Sequence, residues 1–160
     1  MRRVVVTGMG IVSCIGNNKS EVLESLKAGK SGITYSKEYA EMGFRSHVYG
    51  KPNINIEDHV DRRFRRFMGD GAAFNYIAME EAIKDSGLEA DEISNPRTAL
   101  VMGSGGPSTS NQVLAADNAR NRGPKKVGPF MVPRAMSSTN SATLSTAFKI
   151  KGLSYSISSA

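Results

Sequence analysis

Two short apolar runs, each ending in glycines, set the strongest limit on how this chain folds. The first covers residues 3–7, is rich in valine and ends at Gly8-Met9-Gly10. The second covers residues 98–102 and ends at Gly103-Ser104-Gly105-Gly106. Since β-branched and apolar runs bounded by glycine are typical of buried strands, each run predicts a strand that enters a tight turn.

Helical patterns lie between and beyond these two runs. Asn18 and Glu21 have the spacing of a capping box, and Gly29 predicts the end of the helix that they begin. The spacing of apolar residues predicts further helices over residues 61–86, 111–118 and 133–148. Apolar and polar residues alternate over residues 153–158, which predicts a last strand. This order of elements indicates an α/β fold with a largely parallel sheet.

The composition excludes several classes of protein. With 160 residues, 39% of them hydrophobic, the chain can form a packed core of ordinary domain size. No apolar run approaches the ~20 residues that a membrane-spanning helix needs. A single cysteine, Cys14, excludes an internal disulfide and a cysteine-rich metal site, so we expect a reducing, cytoplasmic compartment and no metal.

The net charge of +6 suggests an acidic partner, which could be nucleic acid, anionic lipid or an acidic protein. Within the predicted helix over residues 61–86, Arg62, Arg63 and Arg66 fall on one arc. The apolar residues predicted on the opposite side are Phe64, Phe67 and Met68. The planar guanidinium groups of the arginines suit carboxylate or phosphate oxygens, although a basic run can also be an ordinary solvated face. A second basic group, Arg122, Lys125 and Lys126, lies on a predicted loop.

Other motifs carry weaker signals. Gly8-Met9-Gly10 resembles the start of a dinucleotide-binding fingerprint, but Ser13 replaces the third glycine, so we favour a tight turn. The glycines at 103–106 could cradle a phosphate or let another backbone pass, and the sequence leaves both open. His47 and His59 lack the spacing of a metal site or catalytic dyad, and Cys14 has no neighbouring base to activate it.

Several motifs together resemble those of the β-ketoacyl-acyl carrier protein synthases, and most of all the type I elongating enzymes of bacterial fatty acid synthesis. The resemblance extends over the whole chain. It is carried by the opening stretch at 4–17, by Gly29-Lys30-Ser31-Gly32-Ile33, by Arg45-Ser46-His47-Val48, by Phe67-Met68, by Gly103-Ser104-Gly105-Gly106, by Val127-Gly128-Pro129-Phe130 and by Tyr155-Ser156-Ile157-Ser158-Ser159-Ala160.

The resemblance implies a thiolase-like fold, an αβαβα layered sandwich built from two similar halves. Residues 1–160 would then be the N-terminal portion of the first half, so the sandwich is incomplete. The family condenses an acyl thioester with malonyl-acyl carrier protein in fatty acid biosynthesis, as a cytoplasmic homodimer without a cofactor, and it needs neither nucleic acid nor a membrane. Because half a sandwich leaves apolar sheet surface uncovered, we expect this chain alone to aggregate or dimerise.

The resemblance also assigns site residues by position. The family's nucleophilic cysteine would follow Ser158-Ser159-Ala160, and its catalytic histidines and lysine would lie further on, so no residue here is catalytic and we expect these 160 residues alone to be inactive. Gly106 would leave room for the acyl chain, and Met136 would line the acyl pocket of the other protomer. The remaining matches would receive the acidic carrier protein: Arg62, Arg63, Arg66, Arg122 and Lys125.

Two other interpretations stay open on the sequence alone. A basic module without catalytic activity could bind acyl carrier protein or nucleic acid through the same arginines. A nucleotide-binding α/β domain is the third possibility, and the missing third glycine argues against it.

Overall fold

The computed structural model describes residues 3–159. The elements in chain order are α1 (Lys19–Lys27), β1 (Ile33–Tyr35), α2 (Lys37–Glu41), β2 (Val48–Gly50), α3 (Arg62–Arg65), α4 (Asp70–Ser86), α5 (Ala90–Ile93), β3 (Leu100–Ser104), α6 (Thr109–Arg122), α7 (Met131–Ala135), α8 (Thr139–Ala147) and β4 (Ser154–Ser158). They divide into a first unit, Met1–Asn55 with Ile77–Ser86, and a second unit, Ile56–Tyr76 with Gly87–Ala160.

The first unit contains α1, a small hairpin and the C-terminal part of α4. The Asn18 side chain caps α1 by accepting a hydrogen bond from the Glu21 backbone N–H at 2.9 Å, and Gly29 leaves the helix with a φ of +61°. The capping prediction is thereby confirmed, except that the Glu21 carboxylate accepts from the backbone N–H of Asn17 rather than from that of Asn18. β1 and β2 pair antiparallel.

The second unit is built on a parallel pair of strands. β3 pairs with β4 from Leu100↔Ser154 to Ser104↔Ser158, which confirms the parallel arrangement that the sequence predicts. A parallel pair needs a crossover connection, and the chain from α6 to α8 supplies it. α8 packs against both strands, and its Leu144 is fully buried, as is Met68, which follows α3.

The prediction of a strand over residues 3–7 is wrong. The segment has no regular structure, and Val4 and Val6 are 94% and 82% exposed. A strand forms only where a neighbouring strand accepts its hydrogen bonds, and no strand within residues 3–159 pairs with this segment. The last segment that carries the family resemblance ends at Ala160, which lies outside the described residues.

The predicted helix over residues 61–86 is two helices, α3 and α4. The backbone at Gly69 is extended, with ψ of 171°, and a side chain there would lie 3.1 Å from the carbonyl oxygen of Arg134. Arg65 stabilises the break because its Nη1 donates to the freed carbonyl of Met68 at 2.6 Å.

The predicted helix over residues 133–148 is also interrupted, between α7 and α8. Met136 has an extended backbone, and the Thr139 hydroxyl donates to the carbonyl of Pro133 across the interruption. The predicted helix at 111–118 is longer than expected, since α6 runs from Thr109 to Arg122. No helix among residues 3–159 is long and apolar enough to span a bilayer.

Candidate functional site

Three exposed arginines lie on α3 and at its C-terminal end. Asp61 caps this short helix by accepting from the backbone N–H of Arg63 at 2.8 Å. Arg62, Arg63 and Arg66 are exposed, and together they are called here the α3 basic surface. The structure thus brings together three of the five residues that the sequence assigns to docking.

Arg65 has a different, structural role. Its side chain is only 19% exposed, with Nε 3.2 Å from a carboxylate oxygen of Glu57 and Nη2 2.9 Å from one of Asp70. Arg63 likewise pairs with Asp61 at 3.0 Å. Asp61 and Asp70, the acidic residues nearest to the arginine run in the sequence, thus pair with Arg63 and Arg65.

Aromatic rings lie directly beside the arginines rather than on the opposite side of the helix. The Arg63 guanidinium carbon is 5.1 Å from the Phe64 ring centroid. That of Arg66 is 6.0 Å from the centroid of Phe67 and 5.8 Å from that of Phe130. The prediction that Phe64 and Phe67 face away from the arginines is therefore wrong, and only Met68 is fully buried.

The other two predicted docking residues lie at the end of α6. Arg122 is the last residue of that helix, and Lys125 lies in the 3-10 turn Pro124–Lys126. Both are exposed, and within residues 3–159 neither has an ion pair. A cation at a helix C-terminus also interacts favourably with the helix dipole, so Arg122 contributes to local stability as well.

Gly106 and Met136 line the same cavity, of about 280 Å³, between the N-terminus of α4, the start of α6 and the α7–α8 interruption. A side chain at Gly106 would meet no atom within 4 Å, and Met136 is 51% exposed. Ser104 closes the glycine turn, since its hydroxyl donates to the carbonyl of Gly106 at 2.8 Å. The cavity therefore has open space where the sequence places the acyl chain.

The Gly8-Met9-Gly10 turn packs directly on the C-terminal part of α4. A Cβ atom at Gly8 would lie 2.2 Å from the carbonyl oxygen of Ala82, and one at Gly10 would lie 1.8 Å from that of Ala78. Both glycines are required because the turn backbone touches the helix backbone. The interpretation of a structural turn is favoured by this contact.

Carboxylates of α4 occupy the backbone donors of the same turn. Asp85 accepts from the backbone N–H of Met9 at 3.0 Å, and Glu81 accepts from those of Ile11 at 3.0 Å and Lys19 at 2.8 Å. The hydrogen bond from the Lys19 ammonium, followed by that from Met9, lowers the pKa of the Asp85 carboxyl. Because these donors already bind carboxylates, which repel phosphate, the turn is unsuited to a nucleotide pyrophosphate.

Cys14, His47 and His59 each have surroundings of their own in the structure. The half-buried Cys14 sulfur lies close to the positions where side chains at Gly32 and Gly50 would begin, so it fills space beside the hairpin. His47 lies edge-on to Tyr35 at 6.2 Å, and His59 is exposed. Residues 3–159 contain no cluster of three or more potential metal ligands.

Sequence reasoning missed three functional contacts that depend on distant residues. It did not identify Glu81 and Asp85 as partners of the glycine turn, although two acids one helical turn apart on the predicted helix were visible. It also gave no role to Phe130, which contacts Phe67 edge-on at 5.1 Å. No periodicity could reveal that contact, because the two rings come from different elements.

Comparison with curated proteins identifies close relatives. The model of the β-ketoacyl synthase N-terminal domain matches residues 1–160. The chain is 55% identical to 3-oxoacyl-[acyl-carrier-protein] synthase 1 of Haemophilus influenzae and 51% identical to the protein of that name from Escherichia coli. In both comparisons all of this chain is matched, and it spans 40% of the length of the relative.

Solved structures share the fold. The ishigamide ketosynthase/chain length factor has a TM-score of 0.83 at 21% identity, covering 98% of this chain and 40% of that one. A β-ketoacyl synthase from Burkholderia phymatum has a TM-score of 0.81 at 24% identity, covering 98% of this chain and 39% of that one. A type II polyketide ketosynthase solved in complex with its acyl-carrier protein has a TM-score of 0.71 at 17% identity, covering 96% of this chain and 40% of that one. The expected α/β fold of the thiolase-like class is confirmed.

Proposed function

Because the chain belongs to the β-ketoacyl synthase family, we propose that residues 1–160 are the N-terminal part of an enzyme that condenses an acyl thioester with malonyl-acyl carrier protein in fatty acid biosynthesis. The observation that carries this proposal is the match of all 160 residues to 40% of the length of two proteins named 3-oxoacyl-[acyl-carrier-protein] synthase 1. We place the enzyme in the cytoplasm, as a homodimer, and assign it no cofactor.

The α3 basic surface is proposed as the docking site for acyl carrier protein. Arg62 and Arg66 support this role because both are exposed and neither has an ion pair within residues 3–159. Arg122 and Lys125 are proposed to add positive charge to the same recognition. Charges on such a surface mainly raise the rate of encounter with an acidic partner.

The cavity beside Gly106 is proposed as the acyl pocket. Open space at Gly106 supports this assignment. Met136 lines the same cavity in its own protomer and is proposed to reach the acyl pocket of the other protomer. A large apolar side chain such as Met136 that is half exposed on one protomer suits contact with a second copy, which we propose covers it.

Replacing Gly106 with phenylalanine should narrow the range of acyl chains accepted. The ring would enter a cavity of about 280 Å³ without a backbone clash, because no atom lies within 4 Å of the new Cβ. In the full-length enzyme we expect transfer of long acyl chains to fall on the order of tenfold or more relative to acetyl transfer, as measured by competition between the two acyl thioesters.

Gly105→Phe is the matched control for this substitution. Gly105 precedes Gly106, also has open space around its Cβ position and does not line the cavity. We expect it to leave the long-to-short ratio within about twofold. An unchanged ratio in the Gly106 variant, with normal folding, would remove Gly106 from the acyl pocket.

The condensation chemistry is proposed to come from residues outside 1–160. The single cysteine of the sequence, Cys14, is half-buried in a loop beside a hairpin, where its sulfur fills space next to Gly32 and Gly50. The two histidines, His47 and His59, are exposed.

We therefore expect the 160-residue polypeptide alone to give no condensation product. A radiolabelled assay with acyl and malonyl carrier thioesters should show no turnover above background, whereas the full-length enzyme in the same assay should turn over. Intact mass of the polypeptide after incubation with the acyl thioester should show no acyl adduct on Cys14. Product formation or stable acylation would contradict this assignment.

A further inference from the structure

The three arginines of the α3 basic surface are not held equally. Arg63 pairs with Asp61 at 3.0 Å and its side chain is 70% exposed. Arg62 has neither an ion pair nor a ring beneath its guanidinium within the described part of the chain. Arg66 differs from both because two rings from separate elements lie against its guanidinium.

The structure fixes Arg66 at both ends. Its backbone carbonyl accepts a hydrogen bond from Nε of Arg134 at 3.0 Å. Its guanidinium lies about 6 Å from the ring centroids of Phe67 and Phe130, which contact one another edge-on at 5.1 Å. Phe130 and Arg134 are themselves linked, since the Arg134 backbone N–H donates to the Phe130 carbonyl at 3.1 Å.

A cation–π contact leaves the N–H donors of a guanidinium available. The attraction acts between the positive charge and the face of the ring and uses none of the N–H donors, which lie in the plane of the group. Arg66 is exposed and has no carboxylate partner among residues 3–159, so those donors are not consumed by an ion pair of this chain. An arginine oriented in this way is prepared to bind a carboxylate through two parallel hydrogen bonds.

We propose that Phe130, together with Phe67, is a positioning residue that orients Arg66 as the fixed anchor for a carboxylate of the docking carrier protein. This inference rests on the proposed carrier-protein function. Arg62 and Arg63 then supply mainly long-range attraction, while Arg66 sets the lifetime of the complex. A side chain that is already ordered loses less conformational freedom on binding, and this gain slows dissociation.

The test uses the full-length enzyme and surface plasmon resonance with immobilised acyl carrier protein. Phe130→Leu keeps an apolar side chain and the net charge but removes the ring. We expect the dissociation rate to rise about three- to tenfold, with the association rate and its salt dependence changed less than about twofold. Phe130→Tyr retains the ring and should behave like the unmodified enzyme.

A double-mutant cycle separates orientation of Arg66 from direct contact of Phe130 with the partner. In an Arg66→Lys background, which keeps the charge but loses the planar group, Phe130→Leu should add no further increase in dissociation rate. Arg66→Lys alone, a surface exchange that preserves folding, should raise dissociation as much as Phe130→Leu does. Additive effects would overturn the inference. No effect of Arg66→Lys would overturn it as well, even if Phe130→Leu failed to fold.

The outcomes also distinguish this inference from the proposed function. If Arg62→Glu with Arg63→Glu leaves carrier binding unchanged, the docking surface itself is wrongly assigned. If that pair greatly weakens binding while Arg66→Lys and Phe130→Leu match the unmodified enzyme, docking stands and only the role of Phe130 is refuted.

Discussion

Replacing Gly10 with alanine should destabilise the protein more than the same exchange at any other glycine of the first unit. The new Cβ would lie 1.8 Å from the carbonyl oxygen of Ala78 and 2.9 Å from the backbone nitrogen of Ala82. Both are backbone atoms of α4, so no flexible side chain can move to relieve the clash. We expect a loss of about 3 kcal/mol or more, the upper range for overpacking, and a fall in the melting temperature of roughly 6–12 °C.

The displacement would also break hydrogen bonds that depend on the same contact. If the turn moves away from α4, Glu81 loses the backbone N–H of Ile11 and Asp85 loses that of Met9. Each carboxylate would then lose a hydrogen bond from a backbone N–H, which further lowers the free energy of unfolding.

Gly71→Ala is the matched control. It is also a glycine-to-alanine exchange, but Gly71 lies within α4 itself. A Cβ at Gly71 meets no atom within 4 Å, and alanine favours a helix over glycine by up to about 1 kcal/mol. Thermal unfolding followed by circular dichroism should show that variant to be as stable as the unmodified protein, or more so. A Gly10→Ala protein with an unchanged melting temperature would refute the close contact.

Reversing the charges of Arg62, Arg63 and Arg66 to glutamate should nearly abolish binding of acyl carrier protein. The change turns an attractive surface into a repulsive one for an acidic partner, and it does so without altering the core, since all three side chains are exposed. At low salt we expect the association rate to fall about 100-fold or more in the full-length enzyme, and the difference to shrink as salt is added.

A second triple variant controls for net charge alone. Lys30, Lys51 and Lys151 are exposed lysines outside α3, and their exchange for glutamate changes the net charge by the same amount. We expect this control to reduce association by only a fewfold. Equal losses in the two variants would mean that overall charge, rather than the α3 basic surface, controls binding.

The same pair of variants tests the nucleic-acid alternative. Binding to duplex DNA depends on basic groups spread over the chain, so both triple variants should weaken it to a similar, modest extent. A loss of DNA binding confined to the α3 variant, with carrier binding retained, would favour the alternative instead.

Local signals in the sequence predict the parts of the fold that local contacts determine. The cap at Asn18 and the end at Gly29 depend on neighbours within one helical turn, and both are found in the structure. The alternation over residues 153–158 likewise predicts β4. These features need no knowledge of the rest of the chain.

Two of the failures involve contacts between distant residues. Residues 3–7 have the composition of a strand, but pairing depends on a partner strand that the local pattern does not describe. The helical periodicity at 61–86 continues through Gly69, where the backbone is instead extended and a side chain would lie 3.1 Å from the carbonyl oxygen of Arg134.

The candidate site shows the same division. The arc of Arg62, Arg63 and Arg66 is predicted by helical geometry and is exposed as expected. The partners of Arg65 and the ring of Phe130 are not predictable from spacing, because each comes from another element. The family resemblance supplied Gly106 and Met136, which the structure places on one cavity.

The pairing of β3 with β4 has a consequence for how the protein is made. Leu100 bonds across the sheet to residues near Ser154, so β3 leaves the ribosome well before its neighbour is synthesised. During that interval its apolar residues, including Val101, have no strand among residues 3–159 to pair with. Nascent chains paused before β4 should therefore be bound by chaperones more than chains paused after it.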